Sequence, residues 1–151
     1  MKTLLARKVT NEQMTRKVAA KIVKSYLADC PAFTVFLEGG LGAGKTFLIR
    51  SILEALGVED DITSPTYTYV QQYTGTKSFA HFDLYRFRNS EQILTKGFGD
   101  ILTDESVCKF IEWPERLSPE LCKICSGTQF TIKIDHGVGA SMRQIKLLSR
   151  D

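Results

Sequence analysis

Gly39-Gly40-Leu41-Gly42-Ala43-Gly44-Lys45-Thr46 is the stretch that decides the fold of this 151-residue chain. It satisfies G-x-x-x-x-G-K-[ST] in full. Before it, residues 33–37 form an apolar run of the kind expected for a strand buried on both faces of a sheet. After it, residues 45–56 place Leu48, Ile52, Leu53 and Leu56 on one side of a helix, with Gly57 as its stop. In a strand–glycine loop–helix, successive backbone N–H groups curl inward around phosphate oxygens, and the helix start adds its positive dipole end. Gly39, Gly40, Leu41, Gly42, Ala43, Gly44, Lys45 and Thr46 are therefore the expected nucleotide-binding loop, a P-loop. Lys45 is expected to reach the β- and γ-phosphates, and the Thr46 hydroxyl to bind Mg²⁺. A dinucleotide fingerprint is excluded: counted from Gly40 or Gly42, the third glycine of G-x-G-x-x-G falls on Lys45 or Phe47.

Working outward, residues 3–9 read as a first strand. Thr10, with Gln13 three positions on, reads as a capping box for a helix carrying Met14, Val18, Ile22 and Tyr26 on one face, ending near Cys30-Pro31. Residues 67–73 and 78–82 read as a hairpin around Thr74-Gly75-Thr76-Lys77. A helix broken around Gly97 and Gly99 covers 90–102, a second buried strand covers 107–111, and 128–134 with 142–148 form a closing strand pair. The expected class is α/β: a P-loop NTPase fold, one domain over 1–151, with a mixed, mostly parallel central sheet flanked by helices. The length suits one core.

Composition narrows the function. Hydrophobic residues make up 43% and charged residues 25%, which excludes disorder and disulfide-scaffold classes. A net charge of +3, with no long run of either sign, does not make the concentrated basic face of a direct nucleic-acid binder. No apolar stretch approaches the roughly 18 residues of a membrane span, and the charged start lacks a signal-peptide core, so cytoplasmic residence is expected. Cys122 and Cys125 have metal-ligand spacing, but no second such pair exists, and the four cysteines read most simply as free thiols.

A P-loop needs an acidic partner at the carboxyl end of a neighbouring strand. Asp83, after Phe79-Ala80-His81-Phe82, and Glu112, after residues 107–111, both fit. Either can hold the metal while the other orients the attacking water; the plainer role is a strand-end carboxylate paired with Arg86 or Arg116. His81 alternates with Asp83 and shares its face, where it can support that carboxylate or simply pack. Trp113 and Tyr85 can stack on a base or partner, or pack at the strand ends.

Leu41 to Thr46, then Ser64-Pro65-Thr66-Tyr67, His81-Phe82-Asp83-Leu84-Tyr85-Arg86 and Glu112-Trp113-Pro114 together resemble the TsaE family, formerly YjeE, across most of the chain. The resemblance implies a Mg²⁺-dependent ATPase, binding ATP and ADP, that works with TsaD and TsaB to form threonylcarbamoyladenosine at position 37 of tRNA. It also implies no direct contact with tRNA. By matching position it makes Thr46 and Glu112 the magnesium pair, Asp83 a second essential carboxylate and residues 64–67 a nucleotide-sensing switch. It places Glu12 near the adenine. Gly40 and Phe47 depart from the family's usual Asp and Thr, and neither position supplies the lysine or hydroxyl that grips phosphate and metal. The rival enzyme reading, a small-molecule kinase, needs an arginine-bearing lid, and no long lid segment follows Arg86 and Arg88. A binding module without hydrolysis would lack the carboxylates, and both are present.

Overall fold

The computed structural model describes residues 1–62, 69–137, 139 and 141–150. Strands β1 (Lys2–Val9), β2 (Phe33–Glu38), β3 (Val70–Thr74), β4 (Ser78–Asp83), β5 (Val107–Glu112), β6 (Thr128–His136) and β7 (Arg143–Ser149) share one sheet, in the order β1-β7-β6-β2-β5-β4-β3. The central strands β6, β2, β5 and β4 run parallel. Antiparallel strands close both sides, β3 hairpinned to β4, and β7 then β1 beyond β6. Parallel character thus belongs to the centre, where helices cover both faces, and the strands at both edges are antiparallel. This is the mixed, helix-flanked α/β sheet of a P-loop fold. Among the described residues β1 pairs only with β7, from Lys2↔Ser149 to Val9↔Arg143.

Among the described residues, five α-helices connect these strands: α1 (Glu12–Ile22), α2 (Lys45–Ala55), α3 (Ser90–Thr95), α4 (Gly99–Thr103) and α5 (Pro119–Ile124). α1 runs on into a π-helical turn, Val23–Leu27, before the chain reaches Pro31. On one face, Val18 and Ile22 of α1 and Leu48 and Ile52 of α2 bury against Val35, Leu37, Phe110 and Ile132. On the other, Ile93, Leu102 and Leu121 of the three short helices bury against Phe36, Ala80, Phe82 and Ile111. The continuous apolar reading of β2 follows from this, since Phe33, Val35 and Leu37 serve the first face and Phe36 the second.

Two local expectations are corrected. The cap of α1 is Asn11, whose Oδ1 accepts from the Met14 backbone N–H at 2.8 Å; Thr10 lies one residue too early and turns its hydroxyl to Met14 Sδ. The sequence reading also left α5 out. Its six residues are too few to show a period, and its signals are local: Ser118 accepts from the Leu121 N–H at 3.2 Å, and Pro119 occupies the first turn. Cys122 and Cys125 sit at this helix, both buried and unbridged. Burial pushes the Cys125 thiol up to about 12, which leaves it inert. Among the described residues no group of three or more His, Cys, Asp and Glu side chains is arranged to hold a metal ion.

Lys109 on β5 is fully buried, and its ammonium donates to the carbonyls of Asp104 at 2.9 Å and Val107 at 2.7 Å and to Ser126 Oγ. Those three oxygens make its burial tolerable. They also tie the start of β5 to the turn before β6. Gly127, in that turn, has φ +81°, and a Cβ there would lie 2.4 Å from the Ala32 carbonyl carbon and 2.7 Å from Phe33 N. Both contacts are backbone, so nothing can swing aside. Gly127→Ala is expected to cost about 3 kcal/mol or more, read as a lowered midpoint in urea unfolding. A variant within about 0.5 kcal/mol of the wild type would show that this turn can be rebuilt cheaply.

Candidate functional site

The parallel strands β2, β4 and β5 end on the same edge of the sheet, and the glycine loop leaves β2 there. Gly42 at φ +74° and Gly44 at φ +101° adopt the left-handed backbone that lets the loop curl, and Gly44 is the residue that opens α2. Gly40, Leu41, Gly42, Ala43, Gly44, Lys45 and Thr46 line a cavity of about 440 Å³ together with Phe47, Asp83, Tyr85, Arg86, Glu112 and Trp113. Gly39 lies beneath the loop and outside the lining. Its carbonyl accepts from Lys45 Nζ, and a side chain there would press within 2.9 Å of the Ile134 carbonyl. Gly40 has open space where a Cβ would stand, so its departure from the family's Asp carries no steric demand.

Lys45 is buried, and its ammonium rests over the Trp113 indole, 3.7 Å from the ring centroid. Burial pushes its pKa below the usual lysine range, against the opposing pull of Glu112, Glu115 and Asp83. Trp113 is held there by a left-handed backbone, φ 61° and ψ 53°, which is costly for a bulky side chain, and by contact with Tyr85, ring centroids 4.9 Å apart. The two aromatics therefore pack against each other in the cavity wall.

Thr46, in the first turn of α2, donates its hydroxyl to the Glu112 carboxylate, 3.1 Å from Oε2 and 3.2 Å from Oε1. A hydroxyl and a carboxylate converging beside a phosphate loop are the hard oxygen donors that a Mg²⁺ ion takes, so these residues fit that ion. Asp83 lies opposite Glu112 in the parallel register, and its Oδ1 accepts from the Tyr85 N–H at 3.1 Å. His81 is where the expectation shifts. It shares the face of Asp83, but its Nε2 lies 2.6 Å from Glu112 Oε2, so it supports the carboxylate of the neighbouring strand.

Beyond Ala43 and Gly44 a second cavity of about 460 Å³ opens between the start of α1 and the ends of β6 and β7, lined by Asn11, Glu12, Thr15, Phe47, Ser141 and Arg143 among others. It shares Ala43, Gly44 and Phe47 with the first, so the two cavities adjoin at the loop. Glu12 stands at its mouth, largely exposed, with Arg16 3.6 Å away. Phe47 and Arg143 escaped the sequence reading: Phe47 forms part of both walls beneath Arg16, and Arg143 reaches the Gly42 carbonyl at 3.4 Å. A lone arginine on a closing strand carries no sequence signal of such a position. The switch expected at residues 64–67 lies outside the described residues.

The family model for threonylcarbamoyl adenosine biosynthesis protein TsaE matches residues 9–145. The chain belongs to the TsaE family. It is 43% identical over 86 residues to the Haemophilus influenzae tRNA threonylcarbamoyladenosine biosynthesis protein TsaE, covering 56% of this chain and 54% of that one. To the Treponema pallidum TsaE it is 38% identical over 87 residues, 58% of this chain and 64% of that protein. To the Bacillus subtilis TsaE it is 32% identical over 122 residues, 80% and 73% of the two chains. The matches thus span little more than half of the Haemophilus protein and under two thirds of the Treponema one. The crystal structure of Bacillus subtilis YdiB superposes with a TM-score of 0.70 at 24% identity, covering 96% of this chain and 84% of that one, which supports the fold. The family match and the shared fold agree with each other. No helix among the described residues is long and apolar enough to cross a membrane.

Proposed function

We propose that this chain is a single-domain, cytoplasmic ATPase that binds ATP and ADP with Mg²⁺ and supports TsaD and TsaB as they form threonylcarbamoyladenosine at position 37 of tRNA, meeting the tRNA only through that complex. The observation that carries this reading is the convergence of Lys45, Thr46 and Glu112 at the mouth of the glycine loop. The loop N–H groups from Gly40 to Thr46 hold the phosphate chain, and Lys45 neutralises its terminal charge. Bound Mg²⁺ supplies further neutralisation of the phosphates, held by Thr46 and Glu112. Asp83, beside Glu112 on the next strand, orients the attacking water and accepts its proton. Glu12, with Asn11 and Thr15, flanks the nucleoside in the second cavity.

The deciding experiment is the ATP hydrolysis rate of the purified chain, alone and after adding the TsaD and TsaB pair. Slow turnover that changes clearly with the pair is expected. Turnover indifferent to the pair would remove the tRNA-modification role and return attention to kinase acceptors. The structure offers a second readout. Trp113 is the chain's only tryptophan, and phosphate must draw the Lys45 ammonium off its ring. ADP or ATP is therefore expected to change the fluorescence, and unchanged emission at saturating nucleotide would show that Lys45 stays where it is.

A further inference from the structure

β4 brings to the site a histidine that phosphate binding leaves without a task. The His81 side chain is 1% exposed and that of Glu112 4%, and their contact is 2.6 Å between Nε2 and Oε2. The register opposes His81 to Phe110 and Asp83 to Glu112, so His81 reaches diagonally forward to the carboxylate of β5 and past the acid on its own strand. Among the described residues, its other nitrogen, Nδ1, is buried with no hydrogen-bond partner. A carboxylate only accepts, so Nε2 carries the hydrogen and donates. A proton on Nδ1 would be a buried donor without an acceptor.

Glu112 needs such a partner. Its side chain has three rotatable bonds, and only one setting brings its oxygens to 3.1 and 3.2 Å from Thr46 Oγ1. A hydrogen bond to Oε2 from His81 restrains that setting, in which Glu112 and Thr46 both line the cavity. We propose that His81 is a positioning residue for the divalent cation, clamping Glu112 through Nε2–H so that Glu112 and Thr46 present their oxygens together. The inference rests on the reading of Thr46 and Glu112 as the magnesium pair. Ligating carboxylates are held by outer partners of this kind, whose loss costs 10–100-fold in metal affinity.

Binding of ADP, titrated with Mg²⁺ and followed by calorimetry, separates a clamp from a histidine that only fills space. His81→Phe keeps an apolar ring and removes the donor; His81→Gln returns an amide N–H near the position of Nε2. The Phe variant is expected to need about 10–100-fold more Mg²⁺, with ADP affinity in EDTA unchanged and the Gln variant close to wild type. In a Glu112→Gln background the Phe substitution is expected to add nothing further. Should the Phe variant fail to fold, His81→Met, which is slimmer and also lacks a donor, takes its place. A donor-free variant with wild-type Mg²⁺ demand, beside an impaired Glu112→Gln, would overturn the clamp. So would equal impairment of the Phe and Gln variants that persists in the Glu112→Gln background. Wild-type Mg²⁺ demand in Glu112→Gln itself would instead overturn the magnesium pair, and the clamp with it.

Discussion

Lys45→Ala is expected to weaken ATP and ADP binding by at least about 100-fold and to cut turnover by about 1000-fold, the scale on which removal of one preorganised charged donor acts at about 2.7–4 kcal/mol. Lys45 is already buried at the loop, held by the Gly39 carbonyl and the Trp113 ring, so its ammonium has been desolvated before any phosphate arrives. The alanine variant loses the cation and keeps the cavity. Calorimetry with ADP and a phosphate-release assay measure the two effects, and turnover within tenfold of wild type would remove the phosphate site from this loop. The lowered pKa adds a dependence on pH. Phosphate binding needs the protonated ammonium, and burial brings its deprotonation below the usual lysine range. The Lys45 contribution to affinity is therefore level below the Lys45 pKa of the free protein, then falls by up to about tenfold per unit as the pH rises through it. Flat affinity across that alkaline range would mean that Lys45 does not pair with phosphate.

Glu112→Ala is expected to lower turnover by about 100- to 1000-fold and to raise the Mg²⁺ concentration needed for the remaining activity. It strips Thr46 of its carboxylate partner and leaves His81 Nε2, 1% exposed at the side chain, as a buried donor with nothing to donate to. An unfolding cost of about 1–3 kcal/mol accompanies the kinetic loss for that reason. Asp83→Ala lacks this second penalty through His81, so the two acids separate by comparing activity with urea stability. If both variants hydrolyse ATP at the wild-type rate, the acidic pair has been misassigned.

The strand–loop–helix unit could be read without coordinates because its signals are dense and local: an apolar run, glycines and Lys45-Thr46, then a helical period. Asp83 and Glu112 were equally readable, since each ends an apolar strand and strands that run parallel deliver their ends to one edge. What the chain hides is anything decided by register. His81 shares a face with Asp83 in any alternation argument, and only the opposition of Asp83 to Glu112 in the β4–β5 ladder shows which acid it reaches. Phe47 and Arg143 join the site because α2 and β7 happen to flank the same cavity, a fact of packing with no motif. α5 escaped because six residues cannot complete two helical turns.

The single pairing of β1 with β7 also orders the birth of the protein. β1 lies far ahead of β7 in the chain, yet β7 stands between β1 and every other strand of the sheet. Until β7 has been made, β1 has no strand of this sheet to pair with. The cavity beside Glu12 draws its walls from both Val9 to Thr15 and Ser141 to Ile145, so it too is complete only once Ile145 has emerged. A nascent chain can therefore curl its glycine loop well before the second cavity has both of its walls.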